Sequence, residues 1–417
     1  MVSTCFYFQV HQPHRLRNYK VFDISKSHEY FDDKVNKEIC EKVANKCYLP
    51  TNKLMLNLIN KSQNEKNKEQ NKEFKISYSI SGTAIDQFEQ FTPKVIESFK
   101  HLADTGNVEF LNETYYHSLS FLKSKKEFHR QIKMHKRKIK ELFDVKPKVF
   151  RNTELIYNNE LAKFIQDQGF KGILAEGADH ILRNKSPNFI YNAKTNFEDN
   201  KSETENKLQN KNQQIKLLLK NYKLSDDIAF RFSNKSWKEF PLTTPKFAKW
   251  INQANGNGEL INLFMDYETF GEHQWEHTGI FKFMEHLPNE ILKHPHNQFV
   301  TPSEAIKKHD AKEEIDMHNF VSWADVERDL SAWLGNHMQN SAFNNIHEME
   351  AQILKTKNKK LINDWRKLQT SDHFYYMCTK WFSDGDVHKY FNPHDSPYDC
   401  FISFMNIIND LRYRIKN

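Results

Sequence analysis

Disulfide scaffolds, zinc knuckles and membrane spans leave marks that this sequence lacks. Its five cysteines, Cys5, Cys40, Cys47, Cys378 and Cys400, form no CxxC pair and are odd in number, which argues against a zinc knuckle and a disulfide framework alike. A reducing compartment suits such a chain, and a cytoplasmic location is the expectation. The first apolar run, CFYFQV, is short and leads straight into polar residues, so no secretory leader is expected. No stretch approaches the roughly eighteen consecutive apolar residues of a spanning helix, so no membrane partner is expected. G-x-S-x-G, P-loop and GxGxxG patterns are also missing, which leaves serine-hydrolase, nucleotide and dinucleotide readings without support and no cofactor in view.

The formal charge of +7 is the small difference between 61 basic and 54 acidic residues, and the lysines are dispersed among Asn and Glu. That is a compositional bias and not a basic patch, so no nucleic-acid partner is expected. With 417 residues the chain can hold one large barrel with an appendage. Thirty-three Phe, 16 Tyr and 7 Trp predict an aromatic core and cleft, suited to plain packing or to stacking on sugar rings.

Strand and helix signals alternate through the first three quarters of the chain. Apolar runs at 4–10, 74–82, 107–111, 148–153, 172–176 and 259–265, then FVTP at 299–302, give about seven strands by residue 310. Helix signals lie between them, with Thr92-Pro93 and Thr244-Pro245 as starts and Gly106 and Gly169 as stops. Such β-α alternation predicts an α/β fold, an irregular (β/α)7 barrel over residues 1–310. Segments 61–73 and 196–214 have almost no apolar side chains and are expected as surface insertions, and the Lys-rich 133–140 stretch with His135 as a solvated helix face. Helical periodicity without strands predicts that 311–417 is a helical region packed on the barrel, with 322–339 reaching back over its mouth and contributing to the cleft.

In a parallel barrel the loops after the strands gather at one end, where His11, Glu113, Glu154 and Asp266 each follow a different strand. Two carboxylates brought together at strand ends suit glycosidic chemistry, which needs one ionised to attack and one protonated to donate. Asp266 sits between Leu263–Met265 and Tyr267, so desolvation is expected to raise its pKa. A strand-end glutamate taken alone is more commonly a structural hydrogen-bonding residue than a nucleophile. Arg151 is expected to hold a neighbouring acid ionised or to cap the barrel.

Five motifs supply context: HQPHRL (11–16), GNVEFLNETYYHSL (106–119), FRNTELIYNN (150–159), FMDYETFGEHQ (264–274) and SWADVERDLSAWLGNHMQ (322–339). In order and spread they resemble the sequence regions of glycoside hydrolase family 57, and within it the α-amylase-like group. That resemblance implies a retaining enzyme on α-1,4-glucans, with Glu154 as nucleophile and Asp266 as general acid/base. It also implies substrate contacts from His11, Glu113, His117, Glu268, His273, Trp323, Asp325 and Trp333, Trp333 being equally readable as helical core. His11, His117, Asp266 and His273 match metal ligands in residue type, but short ligand spacing is missing and the family resembled is not metal-dependent, so no metal is expected. A 4-α-glucanotransferase at the same site and a non-catalytic glycan-binding protein remain the alternatives, with a metal-dependent polysaccharide deacetylase more distant.

Overall fold

A computed structural model describes residues 2–64, 72–196, 214–380 and 392–416. Residues 65–71 and 197–213, most of the two expected insertions, lie outside the described residues, while 61–64 complete the helix Leu49–Asn64. Ten strands follow in chain order: β1 (Val2–Val10), β2 (Ile76–Ile80), β3 (Val108–Phe110), β4 (Val149–Arg151), β5 (Gly172–Glu176), β6 (Ile190–Ala193), β7 (Lys216–Lys220), β8 (Leu260–Asp266), β9 (Asn297–Phe299) and β10 (Glu314–Ile315). All nine residues of β1 are buried, as expected of a parallel strand covered on both faces.

Seven of these strands close into a ring. β1 pairs in parallel with β2 and β8, β2 with β3, β4 with β5, β5 with β7, and β7 with β8. The seam between β3 and β4 closes just beyond β3, where Asn112 N donates to Val149 O (3.0 Å) and Arg151 N to Asn112 O (2.9 Å). The irregularity lies at two places. β9 pairs with Val2–Thr4, below the β1–β2 ladder, and antiparallel β6, itself extended by β10, pairs with the first half of β7. β7 therefore meets β8 only at Lys220 and Asn262.

The ring's membership differs from the sequence expectation in one strand. KLLLK at 216–220 is a ring strand, whereas Asn297–Phe299, next to the expected FVTP segment, only flanks β1. The ladder of β1 is already taken, by β2 over Phe6–Val10 and by β8 over Ser3–Gln9, so β9 finds only Val2–Thr4 to pair with.

Local chemistry ends and starts the helices at the barrel mouth. Ser81 caps the helix Gly82–Phe91 through the Ala84 N–H, and Pro93 opens the next helix directly. A Cβ on Gly82 would stand 2.3 Å from the Tyr115 ring, so only glycine lets that helix approach the segment after β3. His135, expected on a solvated face, is instead fully buried in the helix Lys125–Phe143 and donates from Nε2 to Ile80 O (2.8 Å). Its helix face turns inward because Phe128, Ile132 and Ile139 lie on it.

C-terminal helices gather around Trp333, Trp365, Phe374 and Phe404. The same cluster takes in Leu16, Tyr19 and Tyr30 from beyond β1, and Leu119 and Ile156 from the segments after β3 and β4. The helical region thus packs on the carboxyl end of the barrel, where functional loops gather. Buried Asp410 fastens it, accepting from Ser25 N (2.7 Å), from His28 (2.8 Å) and from Tyr30. Among the described residues no helix is long and apolar enough to cross a membrane.

Candidate active site

A pocket opens at the carboxyl ends of the strands and is lined by Glu154, Asp266, His11, His117, Glu268 and His273, with Trp323 and Asp325 from the segment beyond the barrel. Glu154 follows β4 in a left-handed backbone conformation, φ 57° and ψ 27°. Such a conformation costs a residue with a Cβ about 1–2 kcal/mol. His117, Leu155, Asp325 and Arg328 share positive φ, so strained residues concentrate at this mouth.

Glu154 is held from both sides. Its Oε1 lies 3.0 Å from His117 Nε2, and its Oε2 accepts from Trp323 Nε1 at 2.8 Å. The backbone repeats the tie, Trp323 N donating to Glu154 O at 3.3 Å. On its other nitrogen His117 meets Glu113 Oε2 at 2.9 Å, and Gln9 Nε2 donates to Glu113 Oε1 at 3.1 Å. Both imidazole nitrogens facing carboxylates make His117 a double donor, the imidazolium form. Burial alone would lower its pKa, but its bonds to Glu113 and Glu154 outweigh that and raise it to about 9. For Glu113, burial pushes upward and the His117 bond prevails, bringing the carboxyl down to about 2.

Asp266 is the last residue of β8. Desolvation first and the Glu154 charge second raise its pKa from 3.8 to about 6, against the lowering pull of Arg151, Lys220 and His117. Glu268, two residues on, is pushed up to about 8 by burial and by the Asp266 charge, while Tyr48 donates to its Oε1. The mouth therefore holds a carboxylate with two donors on it beside a carboxyl that keeps its proton toward neutral pH.

The remaining expected residues separate into pocket and support. His11 lines the pocket, with Nδ1 2.7 Å from Ser81 Oγ, Nε2 2.9 Å from Asp372 Oδ2, and its ring stacked on His117 at 3.9 Å. Glu113 stands behind His117 and does not line the cavity. Asp325 lines it and accepts from Val326 N at 2.8 Å. Trp333 is corrected: it is 1% exposed, away from the pocket, with its ring 6.2 Å from that of Tyr375, the residue that does line it. An indole on a helix of apolar spacing is drawn into the core by the area it buries. Among the described residues no three His, Cys, Asp or Glu side chains are grouped as metal ligands. The nitrogens of His11 and His117 are already engaged by the partners named above.

The sequence reading missed a charged wall. Lys220, the last residue of β7, bonds Asp226 (2.9 Å) and approaches Glu176 at the end of β5 (3.8 Å), while Arg328 reaches the same Glu176 (3.3 Å). Lys220, Asp226 and Arg328 face the pocket, as do Asp372 and Tyr375. Recognising KLLLK as a ring strand would have placed Lys220 at the mouth.

The His117 network makes stability depend on pH in a fixed sense. Because the folded pKa of His117 lies above its usual 6.5, its contribution is complete below pH 6.5 and is lost as pH rises through about 9. Glu113, lowered from 4.5 to about 2, contributes above pH 4.5 and loses that contribution as pH falls through about 2. His117→Gln is expected to flatten the decline of unfolding free energy between pH 6.5 and 9, followed by urea denaturation. An unchanged slope would mean that His117 is not charged in the folded protein.

A parallel barrel whose strand ends bring unlike carboxyl groups to one pocket has the parts that a glycosidase working through two carboxyl groups requires. Residues 5–318 match the glycosyl hydrolase family 57, and the chain belongs to that family. A Methanocaldococcus jannaschii protein named "Putative alpha-amylase" is 45% identical over 427 residues, spanning 99% of this chain and 84% of its own. Among solved structures, the alpha-amylase AmyC of Thermotoga maritima covers 100% of this chain and 93% of its own at TM-score 0.60 and 11% identity. The family 57 branching enzyme of Pyrococcus horikoshii covers 90% and 85% at TM-score 0.60 and 14% identity. The 4-alpha-glucanotransferase of Thermococcus litoralis covers 90% of this chain, which spans 50% of that enzyme, at TM-score 0.57 and 15% identity. At these identities the structural likenesses speak for the fold.

Proposed function

We propose that the chain is a retaining, α-amylase-like glycoside hydrolase acting on α-1,4-glucans. One observation carries the mechanism: Glu154 accepts bonds from His117 and Trp323, while neighbouring Asp266 has its pKa raised to about 6. Glu154 attacks the anomeric carbon as Asp266 protonates the leaving oxygen, giving a glycosyl-enzyme ester. Asp266, now a base, takes a proton from water, which displaces Glu154 and leaves the anomeric configuration as it began. His11, Glu268, His273 and Asp325 line the space for the sugar around the point of cleavage. Glu113 acts through His117, and the Trp323 N–H holds the nucleophile. The relative's name supports the amylase reading. Cytoplasmic placement belongs to the same reading and is supported by five buried cysteines without disulfides.

The test is incubation of the purified chain with maltooligosaccharides, following products by chromatography and their anomeric configuration by NMR. Shorter sugars of retained configuration are expected. Products longer than the starting sugar would assign a 4-α-glucanotransferase. Binding without any turnover would assign the non-catalytic glycan-binding alternative.

A further inference from the structure

Arg151 ends β4, at the seam where the ring closes, and its side chain is completely buried. Among the described residues no protein group accepts a hydrogen bond from Nε, Nη1 or Nη2. A buried guanidinium left in that condition is costly, and such a residue is a candidate for a role in the chemistry. The guanidinium carbon lies 5.0 Å from the centre of the Trp323 ring, within range of a cation–π contact. That indole donates to Glu154 at 2.8 Å. We propose that Arg151 is a positioning residue for the carboxyl pair, backing the Trp323 indole that holds Glu154 and supplying the barrel interior with a fixed positive charge in whose field Asp266 lies. The inference rests on the glycosidase reading above.

The charges around Asp266 single out Arg151. From β4 and the residues after it come Arg151 and Glu154, from β7 Lys220, from the segment after β3 His117, and from its own loop Glu268. Across the interior, the Tyr7 hydroxyl of β1 also feels both Arg151 and Asp266. Of the three cations, His117 is engaged by Glu113 and Glu154, and Lys220 by Asp226. Arg151 is the one for which the described residues provide no carboxylate in hydrogen-bond contact. Its field is thus the least cancelled, and burial leaves it weakly screened. Lys220 also lies near the Trp323 ring, 5.3 Å from its centre, so the indole that holds the nucleophile is polarised by two cations.

The experiment compares wild type, R151M and R151K by carboxyl carbon NMR titration of Asp-labelled protein, with Asp266 assigned through Asp266→Asn. The pH profile of kcat on maltooligosaccharides is recorded beside it. R151M is expected to raise the Asp266 midpoint by about one pH unit and to carry the alkaline limb of kcat with it. R151K, which keeps the charge but not the flat stack on Trp323, is expected to leave the midpoint in place while kcat falls. A midpoint unmoved in folded R151M, or moved equally in both variants, overturns the proposal. Should R151M fail to fold, R151K decides alone, and a displaced midpoint or an unchanged kcat overturns the inference. A wild type that titrates as expected but turns over no glucan defeats the glycosidase reading, and the positioning role with it. Normal wild-type turnover with an unmoved midpoint in R151M defeats this inference only.

Discussion

Glu154→Gly is expected to lower kcat by about 10⁴-fold or more, the scale seen when a covalent nucleophile is removed, while the protein stays folded. Glycine is the informative replacement because Glu154 holds φ 57°, a conformation glycine takes without strain. Relief of about 1–2 kcal/mol of backbone strain matches or exceeds the roughly 0.5–1 kcal/mol that glycine's unfolded-state freedom costs. His117 keeps Glu113 as its partner, so the imidazolium is not left alone. Loss of activity then reports on chemistry, checked by circular dichroism beside the assay. Sodium azide should restore turnover of an activated α-glucosyl substrate, because the small anion fits where the carboxylate stood. A single displacement from that face yields the β-glucosyl azide, identifiable by NMR. An α-configured product, or activity unaffected by the substitution, would remove Glu154 from the nucleophile's role.

Asp266→Asn is expected to lower kcat on maltooligosaccharides by about 10²–10⁴-fold, the range for loss of general acid–base catalysis. The deficit should depend on the leaving group. An α-glucoside of an acidic phenol departs without a proton, so its first step is spared. The second step still lacks its base, so glycosyl-enzyme accumulates and appears as a burst of phenol followed by slow turnover. The pH profile supplies an independent check. Asp266 must be protonated to act as acid, and its pKa is raised to about 6, so wild-type kcat should decline as pH rises above about 6. Asparagine cannot titrate, and that decline should vanish. Equal losses on both substrates, with the alkaline limb intact, would mean that the proton comes from elsewhere. Glu268, pushed up to about 8, would then be the next group to replace.

Buried parallel strands are legible as continuous apolar runs because helices cover one face and barrel interior the other. That is why β1, β5 and β8 could be read directly. Short strands carry no such signal. β3 and β4 have three residues each and were placed by their position in the alternation, while β9, equally short, was counted into a ring it only flanks. At the site, Glu154 and Asp266 were accessible because a strand end before a loop is a position the fold itself marks. The wall formed by Glu176, Lys220, Asp226 and Arg328 was not, since an ion pair is a relation between distant residues and no one of them departs from ordinary usage. Trp333 illustrates the opposite difficulty. Indole is suited to stacking on sugar and to filling a core, and only the packing of the C-terminal helices decides between them.

The His11–Asp372 bond spans 361 residues of sequence, and its two ends belong to the same pocket. During synthesis the ring strands up to β8 leave the ribosome well before the residue that engages His11, so the pocket is completed only once the C-terminal helices are made and docked. The docking surface for those helices is built from segments beyond β1, β3 and β4, so it exists only when these have been brought together at the barrel mouth. Activity should therefore return after secondary structure in a refolding experiment, and the lag between the two would time the docking of the C-terminal helices.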